Sequence, residues 1–357
     1  MPPRRCIKDL DDGELRQWLA AHSQPAFRVR QICGWLYGGG FAADFAAMDN
    51  LPMALRDELD AHFTACAVTA RERLVDQEDG TIKWLCELAD GNAVETVLIR
   101  VPGRSTVCIS TQVGCPVRCV FCASGRGGLV RNLTASEIID QVLLACRELG
   151  SRVDNIVVMG MGEPLLNLGN LGAALDRLSR PETIRLGDRH VTISTSGIVP
   201  GIRELAQMRR SWNLALSLHA VTDEERARLI PTALRYPLEE IFAACECHRQ
   251  LTNRMLTLEY ALIAGRNDDA ARMDKLAQIA HRLRAKVNLI PCNPAGGDCM
   301  APELRRCRQC VAELSGRGVQ ATLRLSHGRN IIAACGQLRE RRKTEENGGK
   351  RLTASQL

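Results

Sequence analysis

The sequence predicts an α/β fold: a partial, open parallel β/α barrel preceded by a helical accessory domain and a small β extension. Three observations lead there. Apolar residues recur at helical spacing over the first ~65 positions, and residues 67–100 alternate apolar and polar as strands do. From about residue 104 onward, short apolar runs alternate with helical patterns, the signature of repeated βα units around a parallel sheet.

In the first segment, drawn as a domain over residues 1–66, Leu15, Trp18 and Leu19 make one apolar face. Val29, Ile32, Trp35 and Leu36 make another, Gly38-Gly39-Gly40 breaks the pattern, and a third helix is expected around Leu51–His62. The 67–100 segment carries turn signals at Asp79-Gly80 and Asp90-Gly91. The main domain, 101–338, offers strand-like runs at Val107–Gln112, Ile156–Gly160, Val191–Thr195, Leu214–His219, Leu256–Ile263, Val287–Pro291 and Gln320–Leu325. Thr134 and Glu137 form a capping box opening a helix through Leu149. Parallel strands carry their chemistry at their C-terminal ends. The residues there are Gly114-Cys115, Gly162-Glu163, Ser194, His219 and Asn293. Residues 339–357 are charged and aperiodic and read as a disordered tail.

No apolar run approaches the ~20 residues that span a bilayer, and the N-terminus lacks a signal-peptide apolar region, so a cytoplasmic protein is expected. In that compartment sixteen cysteines are reduced thiols, to be divided among metal ligands, catalytic groups and buried filler. A net charge of +6 suits a polyanionic partner. Arg28, Arg30 and Arg56 on the first helices are equally consistent with contacting it or with a solvated face. Aromatics at 4% argue against base stacking on an aromatic platform.

The strongest local signal is Cys115-Pro-Val-Arg-Cys119-Val-Phe-Cys122, three thiols on one loop after the first strand of the series. A structural zinc site takes four protein ligands, whereas a [4Fe–4S] cluster has four iron corners. Three cysteines leave one iron open for a small molecule, which in radical enzymes is S-adenosylmethionine (SAM). The alternatives are buried filler or a zinc knuckle with a distant fourth ligand. Gly160-Met-Gly162-Glu163-Pro ends the next strand. A glycine there admits a ligand close to the backbone, and a carboxylate can accept hydrogen bonds from its ammonium group.

Longer stretches add a resemblance. GCPVRCVFCASGRGGLVRNLTASEIIDQV, VVMGMGEPLLN, VTISTSGIVP, LALSLHA and AACGQL resemble the RlmN/Cfr family of radical SAM RNA-adenine methyltransferases, in order, from about residue 8 to 338. The N-terminal PAFRVRQICGWLY is similar to that family's helical accessory domain. The resemblance implies a barrel of the radical SAM type and methylation of an electron-poor adenine carbon, which an electrophilic methyl group does not attack directly. It implies Cys335 as methyl-accepting nucleophile, Cys108 as the resolving thiol that leaves a transient disulfide, and Glu95 as the base that removes the ring proton. It further implies SAM contacts at Gly162, Glu163, Ser194, Ser217, Leu218, His219 and Asn293, and cluster ligation by Cys115, Cys119 and Cys122. Taken singly, Ser217, His219 and Asn293 would be strand-end or turn residues. Two SAM molecules per turnover, a flavodoxin or ferredoxin as electron donor, and a monomer bound to RNA complete the expectation. The RNA is ribosomal by default, with tRNA as the second candidate.

The chain departs from that family near Asn330, where relatives usually place aspartate, and at Cys292, where they commonly carry an aromatic residue before Asn-Pro. Cys292, Cys299, Cys307 and Cys310 are extra thiols, either a second metal site or packing, since Cys307 and Cys310 fall on an expected helix. C8 rather than C2 methylation, and a radical SAM activase or maturase without an RNA substrate, are the competing functions. An RNA-binding protein without catalysis is the third. Cys108, Cys335 and Glu95 together disfavour the activase, and the presence of all three cluster cysteines and both catalytic thiols disfavours the third.

Overall fold

The computed structural model describes residues 4–293 and 299–338. The tail expected over 339–357 lies outside the described residues. Strand β1 (Arg5–Cys6) precedes helices α1 (Asp12–Ala21), α2 (Arg28–Tyr37) and α3 (Met53–His62) and pairs parallel with β2 (Phe63–Thr64). Asp11 and Glu14 cap α1 reciprocally, a capping box that the apolar spacing did not reveal. The expected faces are the buried ones: Leu15, Leu19, Ile32, Leu36, Leu55 and Leu59 are each at most 5% exposed.

Four antiparallel strands follow, β3 (Val68–Val75), β4 (Ile82–Leu88), β5 (Ala93–Val101) and β6 (Arg104–Cys108). The short pair β7 (Gln112–Gly114) and β8 (Leu129–Asn132) brackets the cysteine loop. Then come α4 (Ala135–Leu149), β9 (Asn155–Val158), α5 (Leu168–Ser179), β10 (Val191–Thr195), α6 (Val199–Gln207) and β11 (Asn213–Ser217). The chain continues through α7 (Asp223–Leu229), α8 (Leu238–Thr252), β12 (Thr257–Leu262), α9 (Ala270–Leu283), β13 (Lys286–Pro291), α10 (Leu304–Gly316) and β14 (Ala321–Leu323).

One ten-stranded sheet runs in the order β14-β13-β12-β11-β10-β9-β6-β5-β4-β3. Among the described residues, the seven strands from β6 to β14 in that order are mutually parallel, and β14 and β3 are edges, so the barrel is open. The β extension is continuous with it, because β5 pairs with β6 from Val97 to Val101. The apolar run over Val107–Gln112 resolves into two strands. After Cys108 the chain still follows β9, through Ile109 N to Val157 O at 3.0 Å and Thr111 N to Met161 O at 2.8 Å. Only then does it turn to pair with β8. The Thr134–Glu137 capping box opens α4 as expected.

The N-terminal helices and the barrel share a continuous apolar core. Their docking also carries a buried ion pair, Lys8 Nζ to Asp140 Oδ1 at 2.6 Å, with both side chains fully buried. Arg28 donates to Gln31 and to the Asn50 carbonyl, and Arg56 donates to the Ala46 carbonyl. Two of the three arginines singled out on these helices therefore hold the α2–α3 connection. Among the described residues no helix is long and apolar enough to cross a membrane.

Candidate active site

A cavity of about 960 Å³, including its mouth, opens at the C-terminal ends of the parallel strands. Cys115, Cys119 and Cys122 border it, as do Gly162, Glu163, Ser194, Ser217, His219, Asn293 and Cys335. Ten of the thirteen residues expected at the site thus meet in one space. Cys108, Glu95 and Leu218 do not border it. Leu218 is fully buried and pairs its N–H with Glu259 O at 3.0 Å, so its backbone serves the strand end.

The cysteine loop folds as a compact turn. Arg118 takes a left-handed φ of 57°, Cys122 N bonds Cys119 O, and Cys115 N bonds Gly128 O at 2.9 Å. Burial pushes the Cys115 thiol up to about 12 and Cys119 well above its ordinary value. Thiolates on this loop therefore need a compensating cation. Among the described residues, the group with ligand atoms within 4.8 Å of one another is His22, Glu58 and His62, on the surface of the helical domain. The three thiols stand wider than that. Three thiol donors on one loop, bordering a cavity, fit three corners of an iron–sulfur cluster with the fourth open.

Against this turn lies the Cys335 loop. Gly336 O accepts Ala123 N at 2.7 Å, and Ser124 Oγ donates to Leu338 O at 2.8 Å, so this loop is fastened directly to the cysteine turn. Gly336 has φ 81°, and a Cβ there would stand 3.2 Å from Phe121 O. Asn293 Nδ2 donates to Cys335 O at 3.1 Å while Ser326 Oγ donates to Asn293 Oδ1. Cys108, at the end of β6, is buried, and burial first and the charge of Cys335 second raise its thiol to about 12, against the lowering effect of Arg324. Every cysteine described is a free thiol, so the expected disulfide is not formed in this structure.

Glu163 follows Gly162, whose φ of 112° leaves no room for a Cβ, which would lie 2.7 Å from the Gln112 Cβ. The Glu163 carboxylate accepts four donors: Thr195 Oγ1 at 2.8 Å, Leu165 N at 3.2 Å, Ser196 N at 2.7 Å and Ser196 Oγ at 2.8 Å. Burial still raises it above the usual carboxylate range. Ser194 and Ser217 share a hydroxyl contact of 3.2 Å. His219 is left-handed at φ 59°, and its Nδ1 accepts Ala261 N at 3.0 Å, so Nε2 carries the proton. Its ring meets Phe121 edge-on at 4.8 Å.

Burial first and Arg226 second depress His219 to about 3, leaving it neutral. The unfolded chain protonates this histidine as pH falls below about 6.5 while the native chain does not. Its contribution is therefore complete above that pH and is lost progressively toward pH 3. His219→Asn, which keeps the acceptor for Ala261, is expected to lessen the loss of stability between pH 6.5 and 4 in urea titrations. An unchanged acid slope would show that His219 is not buried neutral.

Sequence reasoning missed Arg324, Arg226 and Lys83. Arg324 borders the cavity just after β14, where the strand-end rule would have found it, with Nη1 3.4 Å from Met159 Sδ. Arg226 is buried under the strand ends and donates to the carbonyls of Ser196, Leu218 and Ser217. Lys83 pairs with Glu95 at 3.0 Å. Among the described residues the extra cysteines are not gathered into a ligand group. Cys307 and Cys310 donate to the carbonyls of Pro302 and Asp268 from α10, while Cys292 and Cys299 pack in the apolar cluster beneath the cysteine turn.

Comparison with known proteins agrees with this geometry. Residues 109–277 match the radical SAM superfamily, and residues 7–65 match the ribosomal RNA large subunit methyltransferase N-terminal domain. The chain is 43% identical over 349 residues to a probable dual-specificity RNA methyltransferase RlmN of Symbiobacterium thermophilum, covering 97% of this chain and 94% of that one. It is 44% identical over 330 residues to the same kind of protein in Thermosynechococcus vestitus, covering 92% and 96%. The crystal structure of a radical SAM methyltransferase from Sphaerobacter thermophilus superposes with a TM-score of 0.90 at 43% identity, over 94% of this chain and 99% of that one. With likeness running through both the accessory domain and the barrel, the chain belongs to the RlmN family of radical SAM RNA methyltransferases.

Proposed function

We propose that the protein methylates C2 of an adenine in large-subunit ribosomal RNA, with tRNA as a further substrate, through a methyl group carried on Cys335. The observation that carries this reading is the Ala123–Gly336 hydrogen bond, which fixes a nucleophile-bearing loop against the three-cysteine turn on one cavity. A [4Fe–4S] cluster on Cys115, Cys119 and Cys122, fed by a flavodoxin- or ferredoxin-class donor, supplies one-electron cleavage of SAM when bound.

The chain's own residues do the rest. Gly162 lets SAM approach the backbone, and Glu163 receives its ammonium group. All four lone-pair directions of that carboxylate are occupied, so the Ser196 hydroxyl rotates away on binding. Ser194, Ser217, the backbone of Leu218, the Nε2–H of His219 and Asn293 orient the remainder. Cys335 takes the methyl of one SAM by displacement, and a second SAM activates that methyl for attack on the ring, making two per turnover. Glu95 takes the ring proton, and the odd electron that the addition leaves on the ring would return to the cluster if one is bound, so that the adduct is closed-shell before the thioether is cleaved. Cys108 then attacks Cys335 Sγ. The sulfur–carbon bond breaks with its electron pair passing to the methyl carbon, which takes up a proton, and the transient disulfide is reduced by an external donor. The protein acts as a cytoplasmic monomer, and its basic excess holds RNA through a salt-sensitive term.

The test is anaerobic: reconstituted protein, methyl-labelled SAM, a reductant and unmodified RNA, with nucleosides identified by mass spectrometry. Labelled 2-methyladenosine is expected. Labelled 8-methyladenosine would move the attack to C8, and SAM cleavage without any labelled nucleoside would remove RNA as the substrate.

A further inference from the structure

We propose that Lys83 is a positioning residue that sets the base and the methyl carrier relative to each other. One N–H of its buried ammonium holds Glu95, and another holds the backbone of the Cys335 loop. The proposal rests on the functional reading above, in which Glu95 and Cys335 act on the same adenine.

Lys83 lies on β4 opposite Val97 of β5, which puts Glu95 at the diagonal position of the same antiparallel pair. Its Nζ stands 3.0 Å from Glu95 Oε1, and both side chains are about 95% buried, at 6% and 4% exposure. The same Nζ donates to Ile332 O at 3.0 Å. A carboxylate buried this deeply needs donors beside it, and Lys83 supplies one from the neighbouring strand.

The second contact is the less expected one. Ile332 has φ 53°, a left-handed conformation that a β-branched residue adopts only under constraint. Its carbonyl is the one Lys83 holds, three positions before Cys335. The turn between β3 and β4 grips the same segment upstream. Asp79 Oδ2 accepts Gly328 N at 2.8 Å and contacts His327 Nδ1 at 3.2 Å, and Asp76 accepts Asn330 N and Nδ2 at 3.2 and 3.1 Å. Both aspartates hold the loop further upstream, at residues 327–330. Lys83 thus joins the kink before Cys335 to the strand bearing Glu95.

Holoenzyme carrying Lys83→Met or Lys83→Arg is compared with the parent protein in four readouts: SAM cleavage without RNA, S-methylation of Cys335 by peptide mass spectrometry, RNA turnover, and the covalent Cys335–RNA thioether by denaturing gel. Lys83→Met is expected to keep the first two within about twofold and to lose turnover about tenfold or more. It is also expected to accumulate the thioether, because the ring proton is no longer removed. Lys83→Arg should recover turnover and clear the thioether. Turnover of Lys83→Met within twofold of the parent overturns the proposal, as does lost turnover without thioether and without rescue by arginine. Should Lys83→Met not fold, Lys83→Gln is read by the same criteria. Absence of S-methyl-Cys335 in the parent protein would instead sink the functional reading itself.

Discussion

Replacing Cys335 with alanine is expected to lower methyl transfer to RNA by on the order of 10³-fold or more, while SAM cleavage continues at a comparable rate. The separation follows from how the loop is held. Its attachments are backbone or distal: Gly336 O to Ala123 N, Cys335 O to Asn293 Nδ2, and Leu338 O to Ser124 Oγ. None uses the Cys335 thiol, and the side chain is half-buried at the cavity edge, so truncation leaves a small gap and the loop intact. The three-cysteine turn is untouched, and with it whatever cleaves SAM. Quantifying 5′-deoxyadenosine beside labelled RNA reads both functions in one reaction. Methylated RNA from the variant at the parent rate would end the two-cysteine mechanism. A loss of both activities would mean that the loop supports the cluster rather than carrying methyl.

The contrast between Cys335 and Lys83 shows what the sequence makes legible and what it does not. Cys335 is recognisable because AACGQL lies in a resemblance that extends over most of the chain. The strands bearing the site are recognisable because buried parallel strands are short apolar runs between helical patterns. Val191–Thr195 matches β10 residue for residue. Lys83 is hidden because β4 and β5 are buried on both faces near their middle, so its neighbours are apolar or buried in both directions and alternation gives no face to assign it. Arg226 is hidden for the opposite reason. It sits in Asp-Glu-Glu-Arg-Ala-Arg, which reads as a solvated charged helix, yet this one guanidinium turns inward and is 1% exposed. Its cost is met by three carbonyls at strand ends, and burial pulls it down to about 10. The hydroxyl cradle around Glu163 escaped as well, since Thr195 and Ser196 become its donors only when β10 is laid beside β9. Local pattern identifies elements; it does not identify which polar side chain faces another across the sheet.

The second large effect concerns the seam between accessory domain and barrel. Lys8→Met is expected to destabilise the protein by about 3–5 kcal/mol, because it leaves Asp140 charged and unpaired in the core. Asp140 is fully buried and spans both parts, meeting Lys8 Nζ at 2.6 Å through Oδ1 and Ala67 N at 2.5 Å through Oδ2. Burial alone would lower the Lys8 pKa, but the Asp140 charge outweighs it and the lysine is held above its ordinary value. A raised lysine contributes stability that is complete below about 10.5 and fades only as pH climbs beyond it, so the lysine half of the pair is retained through neutral and mildly alkaline pH. Around it the seam is polar as well as apolar: Asp9 accepts from Ser136 N and Oγ at 3.1 and 2.9 Å, Arg177 donates to Leu10 O at 2.8 Å, and Arg180 meets Asp12 at 2.9 Å. Domains of this kind are stable by only about 5–15 kcal/mol, so the loss is a large share of the total. Urea denaturation measures it directly. The double variant Lys8→Met with Asp140→Asn removes the orphaned charge and keeps an acceptor for Ala67, and it should recover more than half of the loss. If the double variant is as unstable as the single one, the penalty comes from packing around Lys8 and not from an unpaired carboxylate.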